Sequence, residues 1–205
     1  MIDLYEYEKR LVASGYRYIV GTDEAGRGPM AGPLVVAACL LPLQFDHPIA
    51  GLNDSKKLTA KKREELYAII QEEAIEYHIE IIDVDEVDRL NVYRASKWGM
   101  EKCIQKFQTP IDFVLSDAMP LNINLGYLSI IKGDAKSASI AAASILAKVT
   151  RDHIMIELDA LYPQYGFRQH KGYVTKQHLQ ALNEFGVCPI HRRSFSPVMN
   201  AMRRK

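Results

Sequence analysis

Four carboxylates in this chain sit where a folded sheet could gather them. The stretch Tyr18-Ile19-Val20-Gly21-Thr22-Asp23-Glu24-Ala25-Gly26-Arg27-Gly28-Pro29 starts apolar and β-branched, like a buried strand. It then turns into two adjacent acids and a Gly-Arg-Gly loop. Strand side chains alternate between faces, so Asp23 and Glu24 cannot both enter one site from a regular strand. One is expected at the strand's end, where the backbone begins to turn. Ile111–Asp117 repeats the pattern, an apolar run closed by Asp117, and Leu128–Asp134 repeats it again, closed by Asp134. In open α/β sheets functional residues gather where strands end. Four acids in one place repel each other and raise their own pKa values, a penalty that divalent cations remove. All-oxygen ligation favours Mg²⁺ or Mn²⁺ over zinc. Two such ions about 3.5–4 Å apart can activate a water and stabilise the leaving oxygen of an in-line phosphoryl displacement. The residues alone therefore point to a two-metal phosphodiester hydrolase.

Competing chemistries are poorly supported. Gly26-x-Gly28-x-x-Ala31 fits the relaxed dinucleotide fingerprint and follows a strand. That fingerprint needs a helix to open at the loop, whereas Pro29, Gly32 and Pro33 lead into Leu34–Leu41, another strand. Neither H-E-x-x-H nor G-x-S-x-G occurs. Cys39, Cys103 and Cys188 are odd in number, far apart and outside any C-x-x-C, so neither a zinc knuckle nor a disulfide framework is indicated. That usage fits a reducing cytosol. No signal peptide is recognisable at Met1–Glu6, and no apolar run reaches the ~18 residues of a membrane span, so a cytoplasmic protein without a membrane partner is expected. A net charge of +1 does not indicate nucleic-acid binding through bulk charge, though a local basic patch remains compatible with it.

The elements that must position these residues follow from periodicity and capping. At 205 residues, 48% hydrophobic and 25% charged, the chain reads as one α/β domain, with a helical C-terminal portion from about 155. Helices are expected over 3–13, from Thr59 to about 74, over about 92–107, over 135–160 and from Thr175 to Phe185, with strands at about 17–23, 33–41 and 78–84. The short connection after the first strand makes the second its antiparallel neighbour. Asn53–Lys57 before a helix N-terminus forms a plausible anion cradle or a plain capped turn. Lys148 and Asp152 share one helix face. Tyr162, Tyr165, Phe167, Tyr173 and the tail basics Arg192, Arg193, Arg203, Arg204 and Lys205 fit a nucleic-acid surface, or core aromatics followed by a frayed tail.

The motifs together resemble the type 2 ribonucleases H, and within them bacterial ribonuclease HII. The resemblance is carried by Gly21–Pro29, Asn53–Leu58, Ser116–Ala118, Lys132–Ala135, Ala142–Asp152, Tyr165–Tyr173 and His191–Phe195, in the family's order along nearly the whole chain. It implies a ribonuclease H-like fold, a five-stranded mixed sheet flanked by helices with its first three strands antiparallel. It implies cleavage of RNA in RNA–DNA hybrids and incision 5′ of single ribonucleotides in DNA, leaving 3′-hydroxyl and 5′-phosphate ends. By the same resemblance Asp23, Glu24, Asp117 and Asp134 are the metal-binding catalytic acids, with Mn²⁺ or Mg²⁺ as cofactor. Gly26, Arg27 and Gly28 correspond to the loop that reads the ribose 2′-hydroxyl, and Tyr173 to the tyrosine that stacks on the junction sugar. Ser55 and Lys56 are expected at backbone phosphate, and Lys148 and Asp152 behind the metal ligands. Ribonuclease HIII shares the four acids but usually carries an extra N-terminal domain, for which the stretch before residue 18 leaves no room. A non-catalytic hybrid-binding module is the alternative, against which the complete acid set argues. No sliding-clamp-binding peptide is recognisable at the C-terminus, so a clamp partner is not supported; a monomer without an obligatory protein partner is expected.

Overall fold

The computed structural model describes residues 3–203. From the N-terminus, helix α1 (Glu6–Ala13) leads to strands β1 (Ile19–Ala25) and β2 (Leu34–Leu40), then α2 (Ala60–Glu73) and β3 (Glu76–Ile82). Helices α3 (Val84–Leu90) and α4 (Val92–Gln105) follow, then β4 (Phe113–Asp117), β5 (Gly126–Ile130) and the long α5 (Ala138–Leu161). The chain closes with α6 (Phe167–His170), α7 (Lys176–Phe185) and α8 (Ser196–Arg203). The strands form one mixed sheet in the order β3-β2-β1-β4-β5. β1, β2 and β3 run antiparallel in turn, as expected, while β4 and β5 lie parallel to β1 and to each other. The connection from β1 to β2 is too short for a crossover; β4 is reached through two helices, which permits the parallel pairing.

β2 is buried along its whole length, so its two faces sort the helices. Val35, Ala37 and Cys39 pack with Leu66 and Ile70 of α2 and with the Ala-rich start of α5. Val36, Ala38 and Leu40 point the other way, against Val87 of α3 and Ala95, Met100 and Cys103 of α4. The small residues of α5 let it lie directly on β1. A Cβ placed on Gly21 would stand 2.1 Å from the Ser139 carbonyl carbon. Tyr165 and Phe167 belong to a third cluster with Met155 and Ala181. These two aromatics are therefore core residues, the second of the two readings open from sequence.

Several boundaries differ from expectation, each for a local reason. β1 runs past residue 23 because Asp23, Glu24 and Ala25 still pair with Ala37, Val36 and Val35. It stops at Gly26, whose φ of +105° leaves the extended region. Val84 opens a helix rather than ending a strand because the Asp83 carboxylate accepts from the Glu86 N–H as its N-cap. α5 starts at Ala138 rather than 135, because Gly133–Ala135 forms a 3₁₀ turn and Ser137 supplies the cap. Thr59, Asn91 and Thr175 cap their helices as expected. Among the described residues no helix is long and apolar enough to cross a membrane.

Candidate active site

The parallel pairing of β1 with β4 sets Thr22 beside Ser116, so the residues that follow, Asp23 and Asp117, come up side by side. Asp134 arrives differently from expectation. β5 ends at Ile130, and Asp134 sits beyond it on the 3₁₀ turn. Lys132, left-handed at φ 57°, folds that turn back, and the Gly133 N–H donates to Asp117 Oδ1 at 2.7 Å. One oxygen from each of Asp23, Asp117 and Asp134 then lies within 4.8 Å of the others. Glu24 stands next to this trio. Its side chain is 8% exposed, its Oε1 receives Arg27 Nη1 at 3.4 Å, and its Oε2 is buried without a hydrogen-bond partner. Both neighbouring acids are thus on β1, with Glu24 at the strand's end, one residue before the last and two before the turn at Gly26.

Burial pushes the Asp23 carboxyl well above the ordinary range, and the nearby Glu24 and Asp117 push the same way. Burial raises Glu24 to about 7 against the opposing pull of Arg27. Asp117 is raised by burial, with the Gly133 N–H opposing and Asp134 adding to the shift. Burial works to lower the Lys56 ammonium, but Asp134 and Asp23 together hold it above its usual value. Lys56 Nζ lies 3.4 Å from Asp134 Oδ2 on a side chain 76% exposed.

A cavity of about 300 Å³ opens beside the acids, walled by Glu24, Gly26–Gly28, Ser55, Lys56, Asp117, Ser144, Lys148, Arg151 and Tyr173. Tyr173 is 47% exposed, and its Cε1 would be 3.5 Å from a Cβ on Gly28. Lys148 Nζ donates to Asp152 Oδ1 at 2.7 Å. Ser55 is buried, and its hydroxyl is 2.8 Å from that of Ser144, which also bonds Asp23. Ser144 was not singled out from sequence, hidden in a run of small residues whose packing role was the visible one.

His170 and His191 lie in the motifs that carry the resemblance, but no role was assigned to them or to His178. The Gly172 N–H donates to His170 Nδ1, which leaves His170 Nε2–H to bond the Tyr165 carbonyl. The Cys188 N–H donates to His191 Nδ1, His191 Nε2 meets His178 Nε2 at 3.1 Å, and His178 Nδ1 meets the Tyr173 carbonyl at 2.9 Å. The partners fit neutral rings throughout, and burial holds His178 and His191 down at about 4. This chain fixes the backbone of Tyr173. Arg192 corrects the reading of the basic tail: it is fully buried, not a surface group. Arg193 and Arg203 are exposed; Arg204 and Lys205 lie outside the described residues.

The family model for ribonuclease HII matches residues 20–198. A ribonuclease HII from Listeria innocua is 52% identical over 98% of this chain and 76% of its own length. The ribonuclease H2 of Pyrococcus horikoshii superposes with a TM-score of 0.77 at 25% identity, covering 91% of this chain and 97% of that one. A ribonuclease HII from Archaeoglobus fulgidus, solved in complex with PCNA, gives 0.76 at 25% identity, covering 89% and 96%. With the family model spanning the sheet, all four acids and the Tyr173 loop, the chain belongs to the ribonuclease HII family.

Proposed function

We propose that this member of the family cleaves the RNA strand of RNA–DNA hybrids and also incises duplex DNA 5′ of single ribonucleotides, leaving 3′-hydroxyl and 5′-phosphate ends. The observation that carries the reading is the trio of carboxylate oxygens within 4.8 Å, which meets the cavity of Gly26–Gly28 and Tyr173 through Asp117, with Glu24 on the same wall. The donor set fits hard divalent ions. It is all oxygen, its charge is poorly compensated, and the buried Glu24 Oε2 has no other partner. Asp23, Glu24, Asp117 and Asp134 would hold Mg²⁺ or Mn²⁺, two with substrate present. When bound, such ions supply Lewis acidity for charge developing on the phosphoryl group.

The protein's own groups bind and orient. Gly26 takes φ +105°, which turns the loop and leaves room for Arg151 beneath it, and the bare Gly28 lets the main chain approach a sugar without a Cβ in the way. That suits the 2′-hydroxyl, the group by which ribose differs from deoxyribose. Tyr173 offers a half-exposed ring beside Gly28 to pack on the adjoining sugar, whatever its base. Lys56 and Arg27 place positive charge at the rim for backbone phosphate. Ser144, held by Ser55, orients Asp23, while Lys148 on the cavity wall is paired with Asp152 behind it.

A duplex with one embedded ribonucleotide, incubated with Mn²⁺ or Mg²⁺ and with an EDTA control, tests the proposal. Metal-dependent incision 5′ of the ribonucleotide is expected. Cleavage confined to long hybrids would remove the junction roles of Gly26–Gly28 and Tyr173, and binding without cleavage of either would favour the non-catalytic module.

A further inference from the structure

Two guanidinium groups lie beneath the glycine loop. Arg151 of α5 and Arg192, beyond α7, are 1% and 0% exposed. A buried cation is costly unless its donors are satisfied, and here main-chain carbonyls take that role for every guanidinium nitrogen except Arg192 Nη2, which has no hydrogen-bond partner. Arg151 donates to Pro33, Lys171 and Ala31 at 2.9, 3.0 and 3.1 Å. Arg192 donates to Gly32 at 3.0 Å and to Arg27 at 3.4 Å, and stacks on Phe195. Burial lowers both groups, to about 10 and about 9, so both stay cationic at neutral pH.

The five carbonyls come from two segments, the β1–β2 connection and the turn just before Tyr173. Backbone bonds join the same segments to the chain around Arg192. The Met30 N–H donates to Gly172 O, the Gly32 N–H to Ile190 O, and the Arg192 N–H to Met30 O. There is no slack between them. A Cβ on Gly26 would lie 2.3 Å from Arg151 Nε, and one on Gly172 would lie 2.3 Å from the Ala31 oxygen.

We propose that Arg151 and Arg192 are positioning residues for recognition of the ribonucleotide sugar. By drawing the carbonyls of residues 27–33 and 171 onto one cationic floor, they set the distance between the Gly26–Gly28 backbone and the Tyr173 ring. A lysine could not replace either group, since it offers a point charge in place of a planar fork that grips several carbonyls at once. The inference rests on the reading that Gly26–Gly28 and Tyr173 meet the sugar.

The test compares kcat and KM on a duplex with one ribonucleotide and on a uniform RNA–DNA hybrid, for the full chain with Arg192→Lys, Arg151→Lys, Tyr173→Ala and each double variant with Tyr173→Ala. Arg192→Lys should lower the single-ribonucleotide-to-hybrid ratio of kcat/KM by about tenfold, mainly through kcat, because a small misplacement of the sugar is enough. Arg151→Lys should act in the same direction. Added to Tyr173→Ala, either change should cost less than about a further twofold, since residues acting through one contact are not additive. A purely structural arginine would reduce both substrates alike and leave the ratio at the wild-type value, which overturns the proposal. So would a fully multiplicative double variant. Wild-type behaviour of Tyr173→Ala would instead overturn the underlying reading, and this inference with it. Should neither lysine variant fold, hydrogen exchange on the wild-type chain decides. The amides of Met30, Gly32 and Arg192 should exchange in one common opening, and unrelated rates would overturn the coupling.

Discussion

Replacing Asp23 by asparagine should stabilise the metal-free chain while stripping it of its response to divalent cations. The Asp23 carboxylate shares a space of 4.8 Å with those of Asp117 and Asp134. At an effective dielectric of about 20, each like-charge pair at that distance costs about 3.5 kcal/mol. Asp23 enters two such pairs, so the gross repulsion is about 7 kcal/mol. Much of it is offset. Burial already disfavours the charged form of Asp23, and Lys56 lies 3.4 Å from Asp134. A net gain of about 1–3 kcal/mol remains, equivalent to about 2–12 °C in melting temperature for a chain of this size. Asparagine keeps the oxygen that accepts from the Glu24 N–H at 2.7 Å, so little packing is lost. Melting in EDTA and again in Mn²⁺ reads both effects. At a hundredfold excess over Kd the ion should add about 2.7 kcal/mol to the wild type and much less to the variant. A variant that melts below wild type in EDTA, or gains as much from Mn²⁺, would refute the view that Asp23 is a metal ligand held under repulsion.

Gly21→Ala should separate α5 from β1. Its Cβ would lie 2.1 Å from Ser139, so the elements must part by about 1 Å, at a cost of about 1–3 kcal/mol. Because α5 carries Ser144 and follows Asp134, urea unfolding and Mn²⁺ titration should both show the loss. His178 and His191 are held at about 4 when folded, against 6.5 for a free ring, so the unfolded chain binds more protons between those values. Their contribution is complete above pH 6.5 and disappears as the pH falls through 4. The steepest slope from both is about 2.7 kcal/mol per pH unit, and His178→Gln should remove roughly half of it. Urea unfolding between pH 7 and 4.5 measures that difference, and an unchanged slope would mean the rings are not neutral in the folded chain.

Much of the sheet was legible because β-branched runs and capping residues act locally. The apolar run Leu34–Leu40 is buried on both faces as read, and Thr59, Asn91 and Thr175 cap the helices they precede. The closing acids of β1 and β4, Asp23 and Asp117, were legible for the same reason. Asp134 was recognised as part of the set, but its place on a 3₁₀ turn was not, since that depends on a left-handed Lys132 and a bond from Gly133 to Asp117. Ser144, His170 and His191 lie inside the matching motifs, but what each does was not legible. Ser144 meets Ser55 from far along the chain, and the histidine bonds, though mostly local, need the packed turn that brings His178 to His191. Arg192 was misread because a cluster of basic residues normally means a solvated tail.

By itself the sequence determined which chemistry was available. Four acids, a glycine loop, one tyrosine and a few cations are types and spacings that any reader of the chain can inspect. The tertiary structure alone decided which of these groups share a space and at what charge. Register between β1 and β4 brings Asp23 level with Asp117, and burial turns neighbouring carboxylates into a strained trio. The same folding takes Arg151 and Arg192 out of solvent to grip backbone carbonyls. Burial and long-range contact are properties of the packed chain, because desolvation and Coulomb energy depend on distances that no run of residues encodes locally.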